Sequence, residues 1–401
     1  MADRVAQKSA AREYKIMIRF NGEEKTAVEN AAKQRGISPA SWCRELLVSA
    51  SRNGKGRVGA APSTGRSTAA RSDLHLLSLF CGPGGLDQGF KEAGFTTDIA
   101  FDIDQDCVET FAANHPGTKV FKKNISKLDL ATIDELNGSE LRPLGVVGGP
   151  PCQSFSVSNV HQTEDDPRHD LPVAYATLLK EINDQRPLSF FVFENVPGLL
   201  GEKHRHRYDH FKSLFSKAGF EISENTLDAQ EFGVPQVRPR VFIVGINRKL
   251  HPKAVWKWPE PEKTTKTVRD TIERLPPPVF NDKGLDPSSF DVHPNHWCMV
   301  PRSKKFETDG ALVEGQAWGR SFRTLSWDEP SWTVAYGNRE VHVHPSGTRR
   351  LSIYEAMLLQ SFPRWYVLTG NISAQTRLVS EAVAPRVAWH LAVGLRRCLG
   401  I

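Results

Sequence analysis

The chain has 401 residues, enough for two or three domains, and a formal charge of +6. No apolar run reaches membrane-spanning length, and no secretory signal precedes the six cysteines, at positions 43, 81, 107, 152, 298 and 398. Their spacing fits neither a disulfide framework nor a zinc site, so a cytoplasmic protein with no membrane partner and no metal is expected. The charge is uneven: residues 1–72 hold 14 Lys and Arg against 6 Asp and Glu, and the remainder carries a net −2. Such a basic arm suits either a polyanion partner or a solubilising tail.

Tyr14–Phe20 alternates strictly, with Ile16, Ile18 and Phe20 on one face and Lys15, Met17 and Arg19 on the other. Asn21 followed by Glu24 predicts a helix start of the capping-box type, and Gly36 ends that helix. Ser38-Pro39 opens a second helix that turns Trp42, Leu46 and Leu47 inward. One strand and two helices cannot bury a core alone. The pattern resembles the ribbon–helix–helix modules of plasmid mobilisation accessory proteins and small repressors. That resemblance implies a homodimer, with Lys15, Met17 and Arg19 facing a DNA groove and Ser38 near a phosphate. The other reading is a plain dimerisation or solubility extension. Residues 52–73, small, polar and basic, predict a flexible linker.

From Leu74 an α/β body is expected. A strand over Leu76–Phe80 runs into Gly82, Gly84 and Gly85, and a helix follows to Ala93. Glycines there let the backbone approach a ligand at a strand's carboxyl end. A second strand, Asp98–Ile103, carries Asp102 near its end, where an acid can bind ribose hydroxyls. Leu144–Ser156 reads L-G-V-V-G-G-P-P-C-Q-S-F-S: a buried strand, a glycine pair and two prolines that present Cys152 on a rigid turn. Alone, Cys152 would read as an ordinary buried thiol. Further on, F-F-V-F-E-N-V-P-G (Phe190–Gly198) is an apolar strand ending in Glu194 and Asn195. Q-E-F-G-V-P-Q-V-R-P-R then sets Gln236, Arg238 and Arg240 on one face if extended. Gln153–Asp170 has no periodicity, a helix spans Leu171–Asn183, and His204–His210 reads as a solvated basic face rather than a metal site. Beyond Trp256 the α/β rhythm gives way to a loop-rich stretch of Trp, Pro and Asp. It ends in an amphipathic helix, Ile353–Leu359, and a C-terminal helix over Leu378–Leu399.

The ordered Pro-Cys-Gln, Glu-Asn-Val and Gln-x-Arg-x-Arg blocks, after a glycine-rich strand–turn, resemble those of the DNA (cytosine-5)-methyltransferases. The resemblance implies a Rossmann-like S-adenosylmethionine-dependent methyltransferase domain over 74–265, completed by 374–401. A smaller, loop-rich target recognition domain would occupy 266–373. It implies a restriction–modification type of enzyme acting on double-stranded DNA in a bacterial nucleoid. Cys152 would be the nucleophile, Glu194 the group at ring nitrogen 3 and Arg240 the holder of the base's carbonyl oxygen. Arg238 would help to lower the thiol pKa. Phe80, Gly82, Gly84, Gly85, Asp102, Ile103 and Asn124 would hold the cofactor, and Ser156 and Gln236 would touch DNA. The chain departs from the family at Asp102 (usually Glu), Asn124 (usually Asp) and Ser380-Glu381 (usually Gly-Asn). An RNA methyltransferase and an inactive DNA-binding regulator are the competing readings. The long recognition interval argues against the first, and the intact catalytic blocks argue against the second.

Overall fold

The central strands of the body are short apolar runs with large side chains on both faces, a pattern that demands a cover on each side. In the computed structural model the described residues are Val28 and residues 74–151, 167–282, 284–319, 322–333 and 342–401. The chain divides into two units, Met1–Ala70 and Arg71–Ile401. The second holds every element below. The expected N-terminal module with Lys15, Met17 and Arg19 lies outside the described residues, as do Cys152 and Ser156.

Seven strands form one sheet: β1 (His75–Leu79), β2 (Thr96–Asp102), β3 (Lys119–Lys122), β4 (Gly145–Gly148), β5 (Phe190–Asn195), β6 (Glu221–Asp228) and β7 (Pro239–Ile246). Their order is β3-β2-β1-β4-β5-β7-β6. The first five run parallel, and β7 lies antiparallel to both β5 and β6. The chain leaves β1 toward β2 and β3, then returns to place β4 on β1's other side. Ligands of open α/β sheets bind at such a reversal, beyond the carboxyl ends of the strands.

The helices interleave with the strands. They are α1 (Gly85–Glu92), α2 (Gln105–Asn114), α3 (Leu130–Asn137), α4 (Leu171–Gln185), α5 (Arg205–Lys217), α6 (Val268–Ile272), α7 (Ile353–Leu359), α8 (Ile372–Glu381) and α9 (Pro385–Leu399). One sheet face buries Leu77, Leu79, Phe191 and Phe193 against α3, α4 and α5. The other buries Leu76, Val147, Phe190 and Val192 against α1 and α9. Strand β5 alternates between the two cores as the two-residue period of a strand requires. Two glycines make room for its rings: a Cβ at Gly245 would lie 2.0 Å from the Phe191 ring, and one at Gly145 would lie 2.6 Å from Phe190.

Two sequence expectations are corrected here. Helix α7 has the expected bounds but is not amphipathic, since every residue from Ile353 to Leu359 is buried. Its one charge, Glu355, closes a capping box with Ser352 and accepts two bonds from Arg349, both at 2.8 Å. The expected single helix over Leu378–Leu399 is broken at Ala382–Ala384: α8 starts earlier, at Ile372, and ends at Glu381 before the break. Proline 385 cannot donate an N–H and keeps Ala384 extended, so α9 starts afresh at Pro385. Ala384 has no side-chain oxygen to cap α9. Ser361, held in the left-handed conformation at φ 65°, supplies one from another segment: its Oγ accepts the Arg386 N–H at 3.1 Å.

The interval 266–373 carries little regular structure besides α6, α7 and two small ribbons. Val279–Phe280 pairs in parallel with Trp297–Cys298, and Ala317–Trp318 pairs antiparallel with Phe322–Arg323. Its core gathers Val268, Trp297, Leu325, Leu351, Met357 and Leu378. The basic stretch His204–His210 is only partly the solvated face expected. His206 and His210 are exposed, but His204 is buried, its ring 5.8 Å from that of His169.

Under α1, the buried Asp87 accepts hydrogen bonds from Ser78 Oγ at 3.0 Å and Thr97 Oγ1 at 2.8 Å, tying the helix to β1 and β2. Burial raises its carboxyl pKa to about 6, against the two hydroxyl bonds. The folded state therefore holds this proton over pH 4–6, where the unfolded chain has lost it, so this group's contribution to stability falls as pH rises through that window and is flat above it. Asp87→Asn is expected to remove that slope. Thermal melting of both proteins from pH 4 to 7 checks it: the gap between the two curves should change up to about pH 6 and then hold constant.

Candidate active site

Beyond the carboxyl ends of β1 and β4 lies a cleft of about 350 Å³, bounded by Phe80, Gly82, Gly149, Glu194, Glu381 and Val383 among others. Its floor is a strained turn. Phe80 has φ 53°, Gly82 φ 54° and Gly84 φ 89°, so the chain leaves β1 through left-handed conformations that residues with side chains seldom adopt. The turn is held from β2, where Asp102 accepts the N–H groups of Gly82 and Asp104, each at 2.9 Å. Burial pushes the Asp102 carboxyl up, while those N–H bonds favour the anion. Gly84 caps α1 with no side chain, leaving the helix's first-turn N–H groups without a side-chain acceptor. A side chain there has no room: a Cβ on Gly84 would sit 2.5 Å from Tyr366 Oη. That hydroxyl donates to the Pro83 carbonyl at 2.5 Å and meets His115 Nε2 at 3.1 Å.

The structure brings Phe80, Gly82 and Gly85 into the cleft lining, with Gly84 and Asp102 holding the turn behind them. Ile103, next to Asp102, is 59% exposed. Asn124 is exposed on the short turn after β3, and its Oδ1 accepts the Ser126 N–H at 3.0 Å.

The second half of the site joins β4 and β5. After β4 the chain runs through Gly149, Pro150 and Pro151 toward position 152. Asn195, fully buried at the end of β5, donates to the Pro150 carbonyl at 3.2 Å and so fixes that turn. Glu194, one residue earlier, packs on Gly149, where a Cβ would stand 2.7 Å from its Oε2. Arg240 on β7 reaches Glu194 with Nε at 3.2 Å from Oε1. Burial raises the Glu194 pKa, and the positive charges of Arg240 and then Arg238 pull it back.

Gln236, Arg238 and Arg240 alternate on an extended segment, but only Arg240 reaches Glu194. Arg238 is 1% exposed and donates to the carbonyls of Ser380 and Ala382 at 2.6 and 2.8 Å, joining β7 to the break between α8 and α9. Gln236 is fully buried, and its backbone is bridged to that of Ser331.

Sequence reasoning missed the cleft's outer wall. Arg377 on α8 bonds Asp104, meets Asp106 at 2.7 Å and lies 3.7 Å from Glu381, which itself lines the cleft. The alternating acids of D-I-D-Q-D (Asp102–Asp106) were a visible signal, but nothing local pointed to their cation far along the chain. Among the described residues, no group of three or more His, Cys, Asp or Glu is gathered for a metal, and no helix is long and apolar enough to cross a membrane.

Comparison with known proteins agrees with this geometry. The family description "C-5 cytosine-specific DNA methylase" matches residues 74–396. The chain is 32% identical over 350 residues to the type II methyltransferase M.MthTI of Methanothermobacter thermautotrophicus, covering 82% of this chain and 98% of that protein. It is 29% identical to the type II methyltransferase M.FnuDI of Fusobacterium nucleatum, covering 81% and 95%. Among solved structures, the S. pombe Dnmt2 methyltransferase shares the fold with a TM-score of 0.56 at 19% identity, covering 82% of this chain and all of that one. With the family description spanning residues 74–396, the chain belongs to the C-5 cytosine-specific DNA methylases.

Proposed function

We propose that this enzyme transfers a methyl group from S-adenosylmethionine to carbon 5 of a flipped-out cytosine in a specific double-stranded DNA sequence, through a covalent bond to Cys152. The observation that carries the reading is the buried Glu194, with its raised pKa, beside Gly149 and 3.2 Å from Arg240. Gly149 stands three residues before Cys152 on a turn that Asn195 anchors.

The cleft fits the cofactor. The uncapped first turn of α1 suits a carboxylate, because N–H groups at a helix N-terminus favour negative charge. Asp102 retains acceptor capacity beyond its two N–H bonds for ribose hydroxyls. Phe80 and the exposed Ile103 offer apolar surface to an adenine, and Asn124 keeps one acceptor lone pair for its amine. When bound, that cofactor supplies an electrophilic methyl group on a sulfonium.

Carbon 5 of cytosine is too weak a nucleophile to take that methyl unaided. Addition of the Cys152 thiolate to carbon 6 makes an enamine and splits one hard step into easier ones. As the carbon–sulfur bond forms, electrons move toward ring nitrogen 3, where Glu194, its pKa raised by burial, donates a proton. Arg240 holds Glu194 in place and the base's carbonyl oxygen beside it. Arg238 acts at one remove, by bracing the C-terminal wall and by its charge on Glu194. After methyl transfer, water takes the proton from carbon 5, the thiolate leaves, and ring nitrogen 3 returns its proton to Glu194. Carbon 6 is out of reach inside a duplex, so the base is extruded at a cost of about a few kcal/mol. Residues 74–265 with 374–401 form the catalytic part of this scheme, 266–373 reads the sequence, and Ser156 contacts phosphate.

Cys152→Ser is expected to abolish methyl transfer and leave the fold intact. The wild type should form a denaturation-resistant adduct with DNA carrying 5-fluorocytosine, visible by gel shift; normal methylation without any adduct would remove Cys152 as nucleophile. The cofactor and chemical roles separate in a second pair. Asp102→Ala should weaken cofactor binding by about 1.5–3 kcal/mol, the range for a charge-assisted hydrogen bond. Glu194→Ala should lower turnover with little change in cofactor affinity, so equal effects on binding by calorimetry would refute the assignment.

The N-terminal segment extends this proposal as a ribbon–helix–helix that pairs two chains and binds a separate operator, which would let the enzyme limit its own synthesis. The full chain should then be a dimer by sedimentation, and residues 72–401 a monomer that still methylates DNA. A monomeric full chain, or loss of methylation on truncation, would overturn it.

A further inference from the structure

The glycine turn that floors the cleft is held from both sides. Asp102 accepts the Gly82 N–H, and one residue further on the Pro83 carbonyl accepts from Tyr366 Oη at 2.5 Å. Among the described residues that carbonyl has no other hydrogen-bond donor. Pro83 lines the cleft, whereas Tyr366 is fully buried behind it, in the core of the 266–373 interval. A carbonyl can only accept, so the phenol's single proton is committed to Pro83, and burial keeps that phenol protonated. His115 Nε2, 3.1 Å from the same oxygen, must then be a donor to it. Burial lowers the His115 pKa to about 4, so near neutral pH the ring is uncharged, with its proton on Nε2. The chain after Tyr366 is pinned through its backbone. Asn114 brackets Val367 with bonds of 2.7 and 2.9 Å, Asn295 brackets Leu368 with bonds of 2.8 and 2.9 Å, and Thr110 Oγ1 accepts the Thr369 N–H at 3.0 Å.

We propose that Tyr366 is a positioning residue for cofactor binding: its hydroxyl sets the plane of the Pro83–Gly84 peptide and so keeps the first turn of α1 aimed into the cleft. The proposal rests on the reading that this cleft holds S-adenosylmethionine. Gly84 enters α1 at φ 89°, and a residue without a side chain offers little resistance to rotation of that peptide. The N–H edge of the peptide bonds the Cys81 carbonyl at 3.1 Å, a contact internal to the turn. The C=O edge is tied to Tyr366, a group outside the turn that is itself fixed in the core. The phenol ring packs on Phe362, 4.9 Å away between centroids, and phenylalanine would do the same. The hydroxyl therefore serves the turn rather than the core. Without it the Pro83 carbonyl is left unpaired beside the cleft, and the turn gains by swinging that oxygen toward water. Cofactor and demethylated product would rest on the same turn, so the tie acts on both alike.

The test is calorimetry of S-adenosylmethionine and S-adenosylhomocysteine on the full-length wild type and Tyr366→Phe, with steady-state methylation beside it. Tyr366→Phe keeps the ring and should bind both molecules on the order of tenfold more weakly. KM for the cofactor should rise by a similar factor, while kcat at saturating cofactor and KM for DNA stay near the wild type. Hydrogen exchange over residues 80–86 of the ligand-free enzyme should quicken. Leu325→Ala, a cavity in the same core, should lower the melting temperature without shifting cofactor affinity. His115→Leu leaves the Pro83 bond but removes the donor that orients Tyr366, so it should weaken both ligands in the same direction and by less. If Tyr366→Phe melts lower yet binds both molecules as the wild type does, the hydroxyl serves only the core, and the inference falls while the cofactor reading stands. Should Tyr366→Phe fail to fold, unchanged binding in His115→Leu overturns the inference in its place. If the wild type binds neither molecule, the cofactor reading falls with it.

Discussion

Close approach of the Gly148-Gly149 backbone to the ends of β1 and β5 is the constraint on which the rest of the site hangs. A Cβ at Gly148 would lie 2.0 Å from the Leu79 carbonyl oxygen, and one at Gly149 would meet the Glu194 carboxylate. Without side chains at these two positions β4 can sit tightly between its neighbours, and the turn after it passes directly over the acid. The crowding also desolvates Glu194, and desolvation is the main cause of its raised pKa. Packing and acid–base chemistry thus have one origin here. The prolines that follow keep the turn stiff, and the Asn195 bond to Pro150 stops it from lifting away.

Much of this was legible in the chain because the local rules agree with one another. The strand runs Leu76–Phe80 and Phe190–Asn195, the glycines after the first and the proline pair after Val147 each point to one backbone conformation, and the sheet is built from them. What was not legible depends on distant partners. The alternation of Gln236, Arg238 and Arg240 is real, but alternation cannot reveal that Ser380 and Ala382 present carbonyls to Arg238 or that the Gln236 backbone bridges to that of Ser331. Glu355 sits mid-pattern as a polar residue would on a wet helix face. Its bidentate bond with Arg349, beside the Ser352 N–H, lets that charge be buried, a pairing that helical periodicity does not encode. The break before Pro385 was legible and was passed over, since proline after a helical run is an ordinary stop signal.

The cleft is a joint product of segments far apart in sequence. Its floor comes from the turn after β1, and its far wall from the junction of α8 and α9. Three independent ties hold that junction: Arg238 on two carbonyls, Gln360 Nε2 donating to Ala382 O at 2.6 Å, and Ser361 capping α9. The departures from the family pattern at Ser380 and Glu381 fall within this junction, yet two of these ties use backbone carbonyls, which are indifferent to the side chain they belong to. Sequence can therefore drift at the wall while the wall stays where it is.

Helix α9 lies against α1, with Gly89 so near it that a Cβ would stand 2.2 Å from the Pro385 carbonyl oxygen. The partner of the first described helix of the body is thus made after all the other helices described above. A ribosome synthesising the chain at about 5–20 residues per second emits β1 and α1 well before α9 can reach them. During that interval Phe90, Phe190 and Val192 lack their cover, and the nascent chain has no closed cleft. Such late closure of non-local contacts is slow and leaves apolar surface open to wrong partners. It also ensures that a chain interrupted before α9 cannot assemble the wall on which its chemistry depends.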